Sequence, residues 1–427
     1  MTDSTRLSNG SPVSWPSHWH SAPLWSMFER VKDVNHPDED LLSVYRDHGV
    51  VRREGRADNF NKAALDRNIY QLVHPGWFVV NRMKAWQGSV GISLFRGIVS
   101  GHYICFRPTH HEHDRFLNWL LRSGPYTAEY ASLSRGVRPN QVEIDNEWLR
   151  SLRIVLPPLE EQRRIADFLD AETARIDRLA SLYSQLTSLL TEREHAVRDS
   201  IVEKLHSNYG TIPLRRLITR IDQGSSPQCE AIPRQVEADW GVLRLSAVKQ
   251  GRFEASENKR LPDHELPDKS YALKRGDFLV TRANTPNLVG DVAVVNEDPH
   301  HLLLPDLIYR VRPSDGVSAD FLAQVALGRR VRSFIASVAR GSSQSMVKLR
   351  GEDIRDWPIP HVPEDQQSKL VREVAQQTDS SARLQGTVKR QLTLLAERRQ
   401  ALITAAVTGQ FDVTTANGRN VTEGVSP

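Results

Sequence analysis

Two stretches of the chain are polar almost throughout, broken by apolar residues at helical spacing. Neither Gly nor Pro occurs between Leu159 and Tyr209, and only Gly386 interrupts residues 364 to 408. In the first stretch Leu169, Ile176, Tyr183, Leu190 and Val197 recur every seven residues; in the second, Val374, Ser381, Val388, Leu395 and Leu402 do so. That period predicts two long helices, each with one apolar seam at coiled-coil spacing. Leu182, Leu189, Ile201, Leu392 and Ile403 widen the stripe beyond what a two-helix seam needs, so the surplus is expected to face partner helices.

Upstream of each helix the pattern shifts to short β-branched and aromatic runs bounded by Gly or Pro: "GWFVVNR", "HYICFRP", "GDFLVTR", "VGDVAVV" and "DLIYRVRP". These predict strands. "DRFLNWLLRS" (114 to 123) and "ADFLAQVALGRRVRSFIASV" (319 to 338) each predict one helical segment, which makes the globular part α+β.

The two halves correspond residue by residue. A displacement of 205 relates "ASLSRG" (131 to 136) to "ASVARG" (336 to 341), Arg107-Pro108 to Arg312-Pro313, Gln162 to Gln367, and "LLTEREHAV" (189 to 197) to "LLAERRQAL" (394 to 402). Further upstream the displacement is 200, where "PGWFVVNR" (75 to 82) faces "RGDFLVTR" (275 to 282). The chain is two divergent copies of one module, each opening on a Pro-Leu pair, Pro23-Leu24 and Pro213-Leu214. A repeat of that size marks a duplicated domain rather than a solenoid. The first long helix must lead from one module to the other, so antiparallel pairing with the second is the simplest way to bury both seams.

Composition adds little. The 427 residues allow two or three domains, and 39% hydrophobic with 25% charged residues is ordinary for a globular protein. Lys and Arg exceed Asp and Glu by 56 to 52, and a pI near 9.0 leans toward a polyanionic partner. Cys105 and Cys229 do not correspond under the repeat, so no disulfide framework is expected. The polar opening "MTDSTRLSNGSPVS" and the absence of a membrane-length apolar run point to a soluble cytoplasmic protein.

A pseudo-two-fold protein with two basic domains suits a two-part target on a duplex, because half-sites one helical turn apart lie ~34 Å from one another. The modules differ most between the opening strand and the helices, so two unlike half-sites are expected, with an unread gap set by the helices. "VLPPLEEQRRIADFLD" and "LLTEREHAV" in the centre, "VPEDQQSKL" and "LLAERRQALITAAVTGQFD" later, and "VVNRMKAWQGSVGIS" in the first module resemble the specificity subunit of type I restriction-modification systems along nearly the whole chain. One departure is that "HAVRDSIVEKL" stands where the second copy has "QALITAAVTGQ"; that end of the first helix is expected to contact its partner less closely.

The resemblance implies two pseudo-repeated globular α/β target-recognition domains separated by two long antiparallel coiled-coil helices. The implied layout is a flexible stretch 1–22, recognition domain 23–157, central conserved helical region 158–208, recognition domain 209–362, second conserved helical region 363–411 and tail 412–427. It implies a non-catalytic DNA-binding subunit acting in defence against foreign DNA. The partners it implies are double-stranded DNA, two methyltransferase subunits and, in the larger complex, two motor-nuclease subunits. S-adenosylmethionine would belong to the methyltransferase, with no cofactor in this chain. The sequence agrees in carrying no Gly-rich cofactor loop after a strand and no phosphate loop. The alternatives are a stand-alone duplicated coiled-coil interaction protein and the recognition partner of an orphan adenine methyltransferase.

Residues able to read bases or grip phosphates are Arg, Lys, Asn, Gln and Ser of the variable regions. In the first module these are Arg52, Arg53, Arg56, Asn59, Lys62, Arg82, Lys84, Gln87, Arg135 and Arg138; Trp86, beside Gln87, is either part of that loop's DNA-facing surface or a core residue. In the second they are Arg282, Asn284 and Asn287 of "TRANTPN", and Arg340, Ser342, Ser343, Gln344 and Lys348 of "ARGSSQSMVK". Arg135-Gly136 and Arg340-Gly341, common to both copies, suit either a helix C-cap or a phosphate contact. "HHEHD" (110 to 114) lacks metal-ligand spacing and predicts a loop. Partner contacts are expected from Leu169, Ile176, Leu182, Leu189, Leu190, Val374, Leu392, Leu395 and Leu402.

Overall fold

Each half of the chain builds the same antiparallel sheet. In the computed structural model, which describes residues 14–53, 66–136, 142–343 (340–343 by backbone alone) and 346–413, the first sheet runs Phe28–Val31, Tyr103–Pro108, Phe78–Asn81, Val90–Ile92 in spatial order. The second runs Ile218–Gln223, Ile308–Pro313, Phe278–Thr281, Val292–Val294. The chain folds as two compact units, Met1–Tyr183 with Lys389–Pro427, and Ser184–Val388. In both, the Pro-Leu pair ends a short opening strand. His20–Pro23 pairs with Arg153–Leu156, Thr211–Pro213 pairs with Pro358–Pro360, and the leucine N–H donates to a backbone carbonyl, Leu24 to Leu152 at 2.8 Å and Leu214 to Trp357 at 2.9 Å.

The equivalence extends to a buried side chain. In the first unit the Gln162 carbonyl accepts the His113 N–H at 3.0 Å, and its amide donates to the Pro157 carbonyl at 2.9 Å. In the second, Gln367 accepts the Ser318 N–H at 2.8 Å and donates to Val362 at 3.1 Å. Each glutamine therefore ties the first turn of a long helix to the start of an earlier short helix of its unit, satisfying groups that burial would otherwise orphan.

Where the pattern predicts one helical segment per module, the structure has two, Asp114–Leu121 then Gly124–Ser132, and Ala319–Ala326 then Arg329–Val338. In the first unit Pro125 lies in the opening turn of the new helix, and proline has no N–H with which to continue the preceding ladder. In the second, Gly328 is extended (φ −73°, ψ 153°), and the Arg329 N–H is taken by the Asp199 carboxylate at 2.7 Å, an anion at a helix N-terminus.

The long helices are Leu159–Tyr209 and Glu364–Val407, as the absence of breakers predicts. Within the first unit Phe168 meets Phe411 (ring centroids 5.5 Å apart) and Arg399 pairs with Asp177 at 3.2 Å; within the second, Gln385 donates to Thr191 at 3.3 Å. Low numbers on one helix meet high numbers on the other, so the pairing is antiparallel. Leu169, Ile176, Leu402 and Ile403 are buried in the first unit's core with Phe78, Phe106 and Phe116. Val374 and Leu370 are buried in the second with Phe278, Phe321 and Trp357. Each such leucine or isoleucine contributes roughly 1.5 to 3 kcal/mol by leaving water. Ile201 and Val202, at the end of the first helix that departs from the repeat, are buried in that second core. Among the described residues no helix is long and apolar enough to cross a membrane.

Candidate nucleic-acid interface

The segment after the second short helix of each unit is a strand. Ser134–Arg135 pairs with Glu143–Ile144, placing Arg135 opposite Glu143; Arg340–Ser343 pairs with Met346–Lys348, placing Arg340 opposite Lys348. The helix C-cap reading of Arg135-Gly136 and Arg340-Gly341 is therefore corrected. The helices end earlier, capped by Leu133 and Ala339, because backbone pairing across the hairpin takes over the chain there.

Each hairpin docks on the end of the same sheet strand. The Ile144 N–H donates to the Arg82 carbonyl at 3.0 Å, and the Leu349 N–H to the Arg282 carbonyl at 2.8 Å. In the first unit this brings Arg82, Arg135, Glu143 and Trp148 together. Arg82 pairs with Glu143 at 2.6 Å, and the Arg135 guanidinium lies over the exposed Trp148 ring, 5.0 Å from its centroid. Lys84 and Gln87 are exposed on the adjoining 3-10 turn, Ala85–Gln87, which ends at Gly88 in the left-handed region (φ 87°). In the second unit the hairpin adds to Ala283–Asn284 to make a three-stranded sheet, with Ala283 opposite Lys348 and Asn284 opposite Val347. Arg282 is half-buried over the Tyr309 ring at 5.9 Å, Asn284 accepts the Thr285 N–H, and Asn287 and Lys348 are exposed.

Arg52 and Arg53 lie elsewhere in the first unit, at the end of the hairpin Leu42–Tyr45 and Gly49–Arg52, where Arg52 pairs with Asp40 at 2.9 Å and covers Phe95. Arg56, Asn59, Lys62, Arg138 and Gln344 fall outside the described residues, and Arg340, Ser342 and Ser343 are placed by backbone alone. Trp86 is half-buried, its indole N–H on the Met83 carbonyl at 3.2 Å, in the wall of a cleft of about 1110 Å³. Arg122 lines the same cleft. Burial pushes its pKa down to about 10, and the neighbouring Arg399 adds to that fall.

The partner-binding candidates divide by exposure. Leu169, Ile176, Leu190, Val374 and Leu402 are buried within the chain, so they form its own seam instead of a surface, because these positions face the antiparallel helix. Leu392 and Leu395 are half-buried. Leu182 and Leu189 are exposed, at 45% and 62%, and Leu179 and Leu394 join them. The sequence reading passed over Glu143 and Trp148. The repeat displacement could have found Glu143, since it stands where the other copy has Lys348.

These features coincide with known proteins. Residues 19–188 match the family described as type I restriction modification DNA specificity domain. The chain is 23% identical over 433 residues to the type I restriction enzyme EcoKI specificity subunit of Escherichia coli (strain K12), spanning 93% of this chain and 90% of that protein. It is 34% identical over 157 residues to the EcoEI specificity subunit of Escherichia coli, spanning 36% of this chain and 26% of that protein. A chain solved in work on complex assembly and conformational transition of the type I R-M system shares the fold, with a TM-score of 0.60 at 14% identity over 94% of this chain and 100% of that one. The chain is thus similar along most of its length to the specificity subunits of type I restriction-modification systems, and its residues 19–188 match their DNA specificity domain.

Proposed function

We propose that the chain is the non-catalytic DNA-reading subunit of a type I complex, that each unit reads one half of a two-part asymmetric target, and that two methyltransferase subunits dock on the long helices. The observation that carries the reading is the matched pair of hairpins. Each sets an arginine, Arg135 or Arg340, at the same point of its unit, beside residues that differ between units. A residue common to both modules suits sequence-independent phosphate contact; Lys84 and Gln87 in one and Asn284, Asn287 and Lys348 in the other suit base reading. The exposed Leu182 and Leu189 support docking of partner helices, since charged substitution there would spare the chain's own seam.

The test replaces residues 23 to 150 by the corresponding segment of another member of the family and sequences the modified bases. One half of the methylated motif should change and the other should stay. A change in both halves would overturn the modular reading. In parallel, Leu182→Asp with Leu189→Asp should abolish co-purification of the methyltransferase while the chain still folds; retention of the methyltransferase would remove docking from these positions.

A further inference from the structure

The loop between Thr281 and Asp291 carries Asn284 and Asn287, and its backbone is held from outside. Three successive carbonyls are taken by side chains. Arg332 donates through Nη2 to Asn287 at 3.0 Å and through Nη1 to Val289 at 2.9 Å, while the Thr281 hydroxyl donates to Leu288 between them at 3.0 Å. The N–H groups are engaged too, Leu288 and Val289 with the Thr285 carbonyl and Gly290 with that of Thr281. Gly290 closes the loop in the left-handed region (φ +67°), where an added Cβ would lie 2.7 Å from Leu349. The side chains of Thr285, Pro286 and Asn287 are left facing solvent from a loop with few free backbone groups.

Arg332 is suited to this by chemistry and position. Its planar fork presents a separate nitrogen to each of two carbonyls two residues apart, where a lysine would offer one nitrogen on a flexible stem. It is half-buried on the helix Arg329–Val338, and Asp291, itself buried, is the opposing charge nearby. The repeat places Thr127 at the same point of the first unit, and there a Cβ on Gly88 would come within 3.0 Å of the Thr127 hydroxyl. One helix position thus underlies the variable loop in both units, by close packing in one and by a guanidinium clamp in the other.

We propose that Arg332 is the positioning residue of the second unit's reading loop: by holding the Asn287 and Val289 carbonyls it fixes where Asn284 and Asn287 meet the bases, and so sets discrimination in one half of the target. This rests on the proposed reading of DNA by that loop. Both terminal guanidinium nitrogens, Nη1 and Nη2, donate into the loop, so Arg332 acts through the loop residues it holds.

The experiment measures binding of the full chain, in its assembled complex, to the cognate duplex and to a panel with single base pairs changed in either half, across a salt series. Arg332→Met keeps much of the volume and removes the donors. It should reduce discrimination roughly 5- to 100-fold at base pairs of one half-site, leave the other half-site unchanged and leave the salt slope unchanged. Arg332→Lys should fall between Met and the parent. Hydrogen exchange along Phe278–Thr281 should match the parent, separating loop positioning from unfolding. A salt slope lowered by about one with discrimination intact would make Arg332 a phosphate contact and overturn the proposal. So would unchanged discrimination in Arg332→Met while Asn287→Ala relaxes it. If Asn284→Ala and Asn287→Ala both leave discrimination intact, the loop does not read bases, and the underlying reading fails along with the proposal.

Discussion

One of the two inner strands of each four-stranded sheet holds Cys105 in the first unit and Arg310 in the second, at the same register against its neighbour, Cys105 opposite Val79 and Arg310 opposite Leu279. Both are buried. Cys105 sits among Val44, Val79 and Val99, and burial pushes its thiol up to about 12. Arg310 reaches the Asp222 carboxylate at 3.1 Å, Asp277 at 3.5 Å, and the carbonyls of Ala272 and Ser270 at 2.9 and 3.1 Å. The same backbone thus accepts an apolar filling or a fully hydrogen-bonded ion network. The backbone pairing and the glutamine ties define the module; the side chains on its faces are free to diverge, provided burial leaves no polar group unpaired.

The largest expected effect breaks that comparison. Arg310→Met should destabilise the second unit by about 3 kcal/mol, since the buried Asp277 would lose its nearest counter-charge while the half-buried Asp222 keeps Arg312. Cys105→Ala should cost the first unit about 1 kcal/mol. Hydrogen exchange read separately on the two sheets measures both, and equal losses would mean the network adds nothing beyond packing. The network also has a pH signature. Burial raises the Asp222 pKa, but hydrogen bonds from Arg312 and Arg310 outweigh that and hold it below the ordinary 3.8. A carboxylate depressed in the folded state contributes stability above its unfolded pKa and loses it as pH falls through the folded one. The second unit should therefore lose stability in acid below about pH 4, and Asp222→Asn should flatten that loss.

Next in size is a pair that should behave alike. Gln162→Leu and Gln367→Leu each leave a helix-start N–H and a carbonyl unpaired, and each should cost its unit about 1 to 3 kcal/mol. Denaturant midpoints measure this, and a marked inequality would reduce the shared geometry to coincidence of backbone.

The smallest effect on stability sharpens the contrast between the hairpins. Glu143 neutralises Arg82 in the first unit, whereas the equivalent Lys348 puts a cation on the hairpin of the second, opposite Ala283. Glu143→Lys should steepen the salt dependence of DNA binding by about one counterion for each further phosphate neutralised, and Lys348→Glu should lessen it similarly. Lys348 is exposed and Glu143 half-buried in a surface ion pair, so both changes should alter stability by less than about 1 kcal/mol. A salt series on any duplex tests this. Unchanged slopes in both variants would place the hairpins away from the DNA backbone.

The duplication, the α+β class and both long helices follow from local pattern, because apolar period and the absence of Gly and Pro act residue by residue along the chain. Helix boundaries at Leu159 and Glu364 lie within a residue or two of the flanking prolines for that reason. What only the tertiary structure decided is which side chains meet. Leu182 and Ile403 both widen the apolar stripe in sequence, yet one is exposed and the other buried, because a helix flank becomes surface or core only once its neighbours are in place. Arg82 meets Glu143 from about sixty residues away in sequence, and Arg332 reaches loop carbonyls more than forty residues back. The carbonyls it holds are present in every residue, so no residue type in the loop announces that clamp.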